Sequence, residues 1–220
     1  MSCSGQNMLA GRGVVVSGGS RGIGRAIAER LGDLGAGVVV NGRDPQAVEE
    51  TVAAISASGG RATGVVGAAD QEDVARALVD ECVSTFGRLD TLINCAGIAE
   101  PPASSILTIS PQEFDALIDA HLGTVFHACR AAAPVLAQQR HGAIINTSSV
   151  AFLGDYGGTG YPAGKGAVNG LTKSDKGHCR RTETLRRAGQ RGVSGRSHEA
   201  LHGRRVRKAH RGPLPPRVAR

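Results

Sequence analysis

Five short apolar runs, each followed by a stretch with helical spacing, leave few folds open to this chain of 220 residues. The runs lie at 13–17 (GVVVS), 37–41 (GVVVN), 62–66 (ATGVV), 91–94 (TLIN) and 143–147 (AIINT). The first two and the last are continuously apolar, which predicts strands covered on both faces. Helical patterns occupy 23–34, 45–56, 71–85, 111–139 and 159–172, the fourth opened by Ser110 as N-cap and Pro111 at the first helical position. Alternation at this spacing gives βαβ units with right-handed crossovers, hence an α/β fold built on a doubly wound parallel sheet. With 3% aromatic residues and 32 glycines, the core has to be built from Ala, Val, Ile and Leu between tight turns.

Directly after the first strand comes Ser17-Gly18-Gly19-Ser20-Arg21-Gly22-Ile23-Gly24, and then an amphipathic helix. Glycines at these places allow a tight turn, close backbone approach to a pyrophosphate and close packing of helix on strand. The helix start offers unpaired N–H groups and the positive end of its dipole. Between a strand and a helix, this loop predicts dinucleotide binding and makes the sheet Rossmann-like. The second strand runs out into Asn41-Gly42-Arg43, with no carboxylate before Asp44. A carboxylate there would accept from a ribose 2′-hydroxyl, whereas an arginine pairs with a 2′-phosphate. Arg43 and Arg21 are either solvated surface charges or a phosphate site; together they favour NADP over NAD.

Further along stand Asn94-Cys95-Ala96-Gly97, then Thr147-Ser148-Ser149-Val150, then Tyr161-Pro162-Ala163-Gly164-Lys165. A phenol, an ammonium and a hydroxyl that converge can move a proton to or from a carbinol oxygen. With the glycine loop these motifs resemble, in order and spacing, those of the short-chain dehydrogenase/reductase family over most of residues 9–173. The resemblance implies an oxidoreductase that interconverts a secondary alcohol and a ketone with NADP or NAD. It implies Tyr161 as general acid/base, and Lys165 favouring the phenolate and bonding the nicotinamide ribose. Ser149, with Ser148 as neighbouring candidate, holds the substrate oxygen. Gly18, Ser20, Arg21, Gly22, Ile23, Gly24, Arg43, Asn94, Ala96 and Gly97, with Tyr161 and Lys165, form the cofactor site; no metal is expected. Homodimers or homotetramers are the family habit.

Three positions depart from the pattern. His121 stands where the family usually has asparagine, either carrying a proton in an altered relay or buried without a catalytic role. Gly67-Ala68-Ala69 precede Asp70 where an acidic residue would meet the adenine. Pro162 follows the tyrosine, which suits a tyrosine in the first turn of its helix.

Beyond residue 173 the pattern changes. Residues 174–220 carry 14 Lys/Arg and 3 Asp/Glu, a charge of +11, leaving −4 on residues 1–173. The chain therefore divides into a catalytic domain at 1–173, lacking the last two strands of the family sheet, and an Arg-rich tail at 174–220, of disordered composition. Read one nucleotide later, GC-rich codons for the segment from His178 permit IAAELRPYGVRVNAVCPGARTRLS, which restores the missing helix end, strand and P-G-x-x-T loop in family order. A frameshifted and truncated dehydrogenase is the resulting expectation, with a catalytically dead remnant and a polyanion-binding tail as rival readings. A mildly acidic body gives no reason to expect nucleic-acid binding. No run approaches the length of a membrane span, no secretory signal opens the chain, and five scattered cysteines suit reduced thiols in the cytoplasm.

Overall fold

The computed structural model describes residues 7–154 and 157–174. Strands β1 (Gly13–Ser17), β2 (Gly37–Gly42), β3 (Arg61–Val66), β4 (Thr91–Asn94) and β5 (Ala143–Asn146) pair in parallel, in the order β3-β2-β1-β4-β5. Around the sheet stand α1 (Gly22–Asp33), α2 (Pro45–Ala57), α3 (Glu72–Phe86), α4 (Pro111–Ile118), α5 (Thr124–Gln139) and α6 (Gly160–Ser174). The α/β doubly wound arrangement is the one read from the sequence.

Side-chain alternation along the strands divides the core in two. Val15, Val39 and Leu92 face α3 and α5, meeting Leu78, Cys82, Ala132 and Leu136. Val14, Val16, Val38, Val40 and Ile93 face the other way, onto Ala28 of α1 and Val48 and Ile55 of α2. β1 and β2 are buried along their whole length, so a run of valines suits both layers at once. Beneath the strands, buried Asp90 accepts from the Arg12 and Arg88 guanidiniums and from the Gly13 amide, pinning β1 to β4.

Two expectations need correction. β5 is not covered like β1 and β2: its residues are half-buried, and Ile145 is 44% exposed. Among the described residues it is the outer strand beyond β4, so an apolar run alone did not tell a central strand from an outer one. The helix expected over 111–139 is divided by a π-turn at Asp119–Gly123. A π-turn adds a residue without Gly–Pro punctuation, so the apolar spacing drifts but shows no stop. The turn carries His121 inward, where it is 1% exposed. The expected boundary at 174 falls on the last described residue, where α6 ends, and the rest of the expected basic tail and the out-of-frame segment lie outside the described residues. No helix of the described residues is long and apolar enough to cross a membrane.

β1 sends the chain to β2 on one side and is flanked by β4 on the other. Strand order reverses there, and a crevice opens at the carboxyl ends of the strands.

Candidate active site

That crevice is a cleft of about 350 Å³. Gly18, Ser20 and Arg21 from the loop after β1 line it, with Asn41 and Gly42 at the end of β2, Arg43 and Asp44 after it, Gly67 to Asp70 after β3, and Cys95 to Ile98 after β4. Gly18 has φ +67°, and a Cβ there would come within 2.7 Å of the Ala96 backbone. Only glycine lets the first loop lie so close to the loop after β4. Asn41 holds the floor: its Oδ1 accepts from the Gly18 amide, and its Nδ2 donates to the carbonyls of Val65 and Gly67.

The first turn of α1 suits an anionic ligand. Arg21 stands at its N-cap, with no side-chain cap and no acidic residue in the turn. By contrast Asp44 caps α2 and Ser110 with Glu113 forms a capping box on α4. α3 also lacks a cap, but Glu72 and Asp73 occupy its first turn. Unsatisfied N–H groups with no competing carboxylate fit a pyrophosphate.

The sequence-predicted cofactor residues divide accordingly. Gly18, Ser20, Arg21, Arg43, Ala96 and Gly97 line the cleft, whereas Gly22, Ile23, Gly24, Asn94, Tyr161 and Lys165 are not among its lining residues. Ile23 is 73% exposed. Asn94 is buried, accepting from Ser17 Oγ and donating to Asn146 Oδ1, so its side chain ties β1 to β4 and β5. Arg21 is ion-paired with Asp44, and both are substantially exposed.

Ser148, Tyr161 and Lys165 meet where β5 leaves the sheet and α6 begins, and Ser149 is next to Ser148 in the chain. Lys165 is 5% exposed; its Nζ donates to the Thr147 carbonyl at 3.0 Å and lies 5.6 Å from the centre of the Tyr161 ring. Burial pushes its ammonium below the usual lysine range. Ser148 Oγ donates to the Lys165 carbonyl. Ser149 Oγ instead accepts from the Ala151 amide at the start of a 3₁₀ turn, Val150–Leu153. The two hydroxyls thus differ: Ser148 has committed its proton and Ser149 has not.

His121 packs edge-on against Tyr161, with ring centres 4.9 Å apart. Burial, reinforced by the Lys165 charge, lowers its pKa to about 4. The ring is therefore neutral at pH 7. Nε2–H donates to the Ile98 carbonyl at 3.0 Å, and Nδ1 is buried with no hydrogen-bond partner.

Sequence reasoning passed over Asn41 and the capping contacts of Glu100, which it read, with Pro101 and Pro102, only as substrate-pocket wall. Asn41 had a signal, a polar residue closing an apolar strand. The Glu100 contacts had none, because their partners are backbone amides of residues 159–161, about sixty positions away. Pro162 falls in the first turn of α6, where the sequence allowed it.

A family model described as short chain dehydrogenase matches residues 12–183. The short-chain reductase protein NovJ of Streptomyces niveus is 42% identical over 160 residues, 73% of this chain and 60% of that protein. The 3-oxoacyl-(acyl-carrier-protein) reductase FabG of Staphylococcus aureus is 39% identical over 165 residues, 74% of this chain and 66% of that protein. The chain thus spans between 60% and 66% of the length of these two curated relatives. Among solved structures, a metagenomic short-chain oxidoreductase in complex with NADP superposes with a TM-score of 0.71 at 37% identity, covering 81% of this chain and 78% of that one.

Proposed function

The chain belongs to the short-chain dehydrogenase family, and from that premise we propose that it interconverts a secondary alcohol and a ketone with a nicotinamide dinucleotide, NADP in preference to NAD. The observation that carries this is the buried Lys165 ammonium 5.6 Å from the centre of the Tyr161 ring, with Ser148 bonded to the Lys165 backbone. Residues 1–173 form the dinucleotide-binding and catalytic domain in this reading.

When bound, a reduced nicotinamide dinucleotide would supply the hydride chemistry for reducing the carbonyl. Ser149 donates a hydrogen bond to the carbonyl oxygen and fixes its position. Ser148 is the weaker candidate, because its proton already goes to the Lys165 carbonyl. Tyr161 gives its phenolic proton to that oxygen as charge develops there, completing the alcohol. Lys165 makes the resulting phenolate cheaper to form, and solvent returns the proton. His121 supports the Tyr161 ring; a neutral imidazole with Nε2 committed to Ile98 is poorly placed to carry protons at pH 7.

The uncapped start of α1 holds the pyrophosphate, with Gly18, Gly22, Ile23 and Gly24 shaping the approach. Ala96 and Gly97 form the facing wall, and Asn94 braces the strand that bears them. Arg43 and Arg21 meet the 2′-phosphate. An NADP-bound relative supports that preference, while the ion pair with Asp44 means that Arg21 has to be shared or released.

NADPH consumption by the full chain against a panel of ketones tests the proposal. Tyr161→Phe is expected to lower kcat about 10²–10⁴-fold while leaving dinucleotide affinity unchanged. Turnover that survives Tyr161→Phe overturns the assignment. Dinucleotide binding with no turnover by the parent chain favours the non-catalytic remnant.

A further inference from the structure

The helix that carries Tyr161 begins against a carboxylate from another part of the chain. Glu100 Oε1 accepts from the amides of Thr159 at 2.9 Å and Gly160 at 3.1 Å, and Oε2 accepts from the amide of Tyr161 itself at 2.5 Å. Residue 162 is proline and has no N–H, and the Ala163 amide reaches back to the Thr159 carbonyl. One carboxylate therefore satisfies every amide that the start of α6 leaves open. A negative group there also complements the helix dipole.

The surroundings fit the carboxylate closely. Gly158 has φ +71°, and a Cβ there would fall 2.6 Å from Glu100 Cγ and Oε1. Ser104 Oγ donates to Oε1 at 2.8 Å, fixing the carboxylate from the other side. Burial works against ionisation, but the amides of Thr159, Tyr161 and Gly160 outweigh it and hold Glu100 below the ordinary glutamate range. Glu100 lies in the loop after β4 whose Gly97 and Ile98 line the cleft, and the Ile98 carbonyl is bonded by His121. Two clasps thus join one loop to the Tyr161 side of the site, one through the backbone of Tyr161 and one through the ring beside it.

We propose that Glu100 is a positioning residue for the reaction: by capping α6 from the loop after β4, it fixes where the Tyr161 phenol stands. The inference rests on Tyr161 being the acid/base, but the clasp can be read without turnover. The chain has two tyrosines and no tryptophan, so in a Tyr156→Phe parent Tyr161 is the only intrinsic fluorophore of its kind.

Acrylamide quenching of that fluorescence, with far-UV circular dichroism to verify folding, reports the ring's exposure in the native state. Glu100→Ala and Glu100→Gln are expected to raise the quenching constant about two-fold by loosening the first turn of α6. Glu100→Asp should return most of the effect. A quenching constant equal to the parent's in folded Glu100→Ala or Glu100→Gln overturns the proposal. Should Glu100→Ala fail to fold, Glu100→Gln, which keeps the side-chain length and one accepting oxygen, decides by the same reading. In the full chain Glu100→Gln is further expected to lower kcat about tenfold with a smaller rise in the dinucleotide KM, as misplacement of a catalytic group does; an unchanged kcat also overturns it. A quenching response in a chain without any turnover supports the clasp and counts against the reductase reading alone.

Discussion

His121 is the residue whose environment says most about its state. It is enclosed by Tyr161, Gly97 and Gly164, bonded once through Nε2, and held neutral with a pKa near 4. An unfolded histidine titrates near 6.5, so between that value and about pH 4 only the unfolded chain takes up the proton. The stability due to the neutral ring is complete above about pH 6.5 and falls as the pH drops toward 4, by a total on the order of 3 kcal/mol. His121→Asn removes this titration. Urea unfolding at pH 7 and pH 5.5 should therefore show a smaller loss in the variant than in the parent; equal losses would mean that the ring is already protonated in the fold. The window sits above that of Asp90 and Glu100, whose lowered pKa values make their contributions fade only at more acidic pH. From sequence alone His121 could be placed at the site but not assigned a protonation state, because that depends on a carbonyl 23 positions away and on the Lys165 charge.

Strands and helices whose signals are local were the legible ones. β1 and β2 are valine runs bounded by glycine, and α2 and α4 announce their starts with Asp44-Pro45 and Ser110-Pro111; β1, β2 and α2 were placed within a residue or two, α4 at its start alone. What escaped was set by distant partners: the π-turn that points His121 inward, the 3₁₀ turn closed on Ser149, and the half-covered face of β5. In the candidate site, Tyr161, Lys165 and Ser149 were proposed from motifs in the sequence, whereas the capping contacts of Glu100 depend on residues about sixty positions away. α5 carries a further local peculiarity, Pro134 in its interior and on an exposed face. Proline there deprives one carbonyl of its donor and crowds the preceding turn. Pro134→Ala is expected to stabilise the fold by about 1–3 kcal/mol, read as a higher urea midpoint at constant m-value. A lower midpoint would show that the proline is needed for α5 to pack on α3.

At the scale of the molecule, all strands run the same way, so the two ends of the sheet have different tasks. Asp90, with Arg12, Arg88 and His141, closes the amino end, while the cleft and the Tyr161 group open at the carboxyl end. A ligand at the carboxyl end that binds only the folded chain raises its stability, by about 2.7 kcal/mol at a hundred times Kd. NADPH should therefore raise the thermal midpoint more than NADH at equal concentration, and Arg43→Ala should remove most of that difference. Equal shifts from both dinucleotides in the parent would dismiss the 2′-phosphate site. The loop from Cys95 to Glu100 belongs to both halves of this end, since its first residues wall the cleft and its last one holds the backbone of Tyr161. Occupancy of the cleft and order at the phenol are therefore thermodynamically reciprocal: whatever free energy one lends the other is returned in full. The loop works as the beam of a balance, and a change made on either pan is weighed on both.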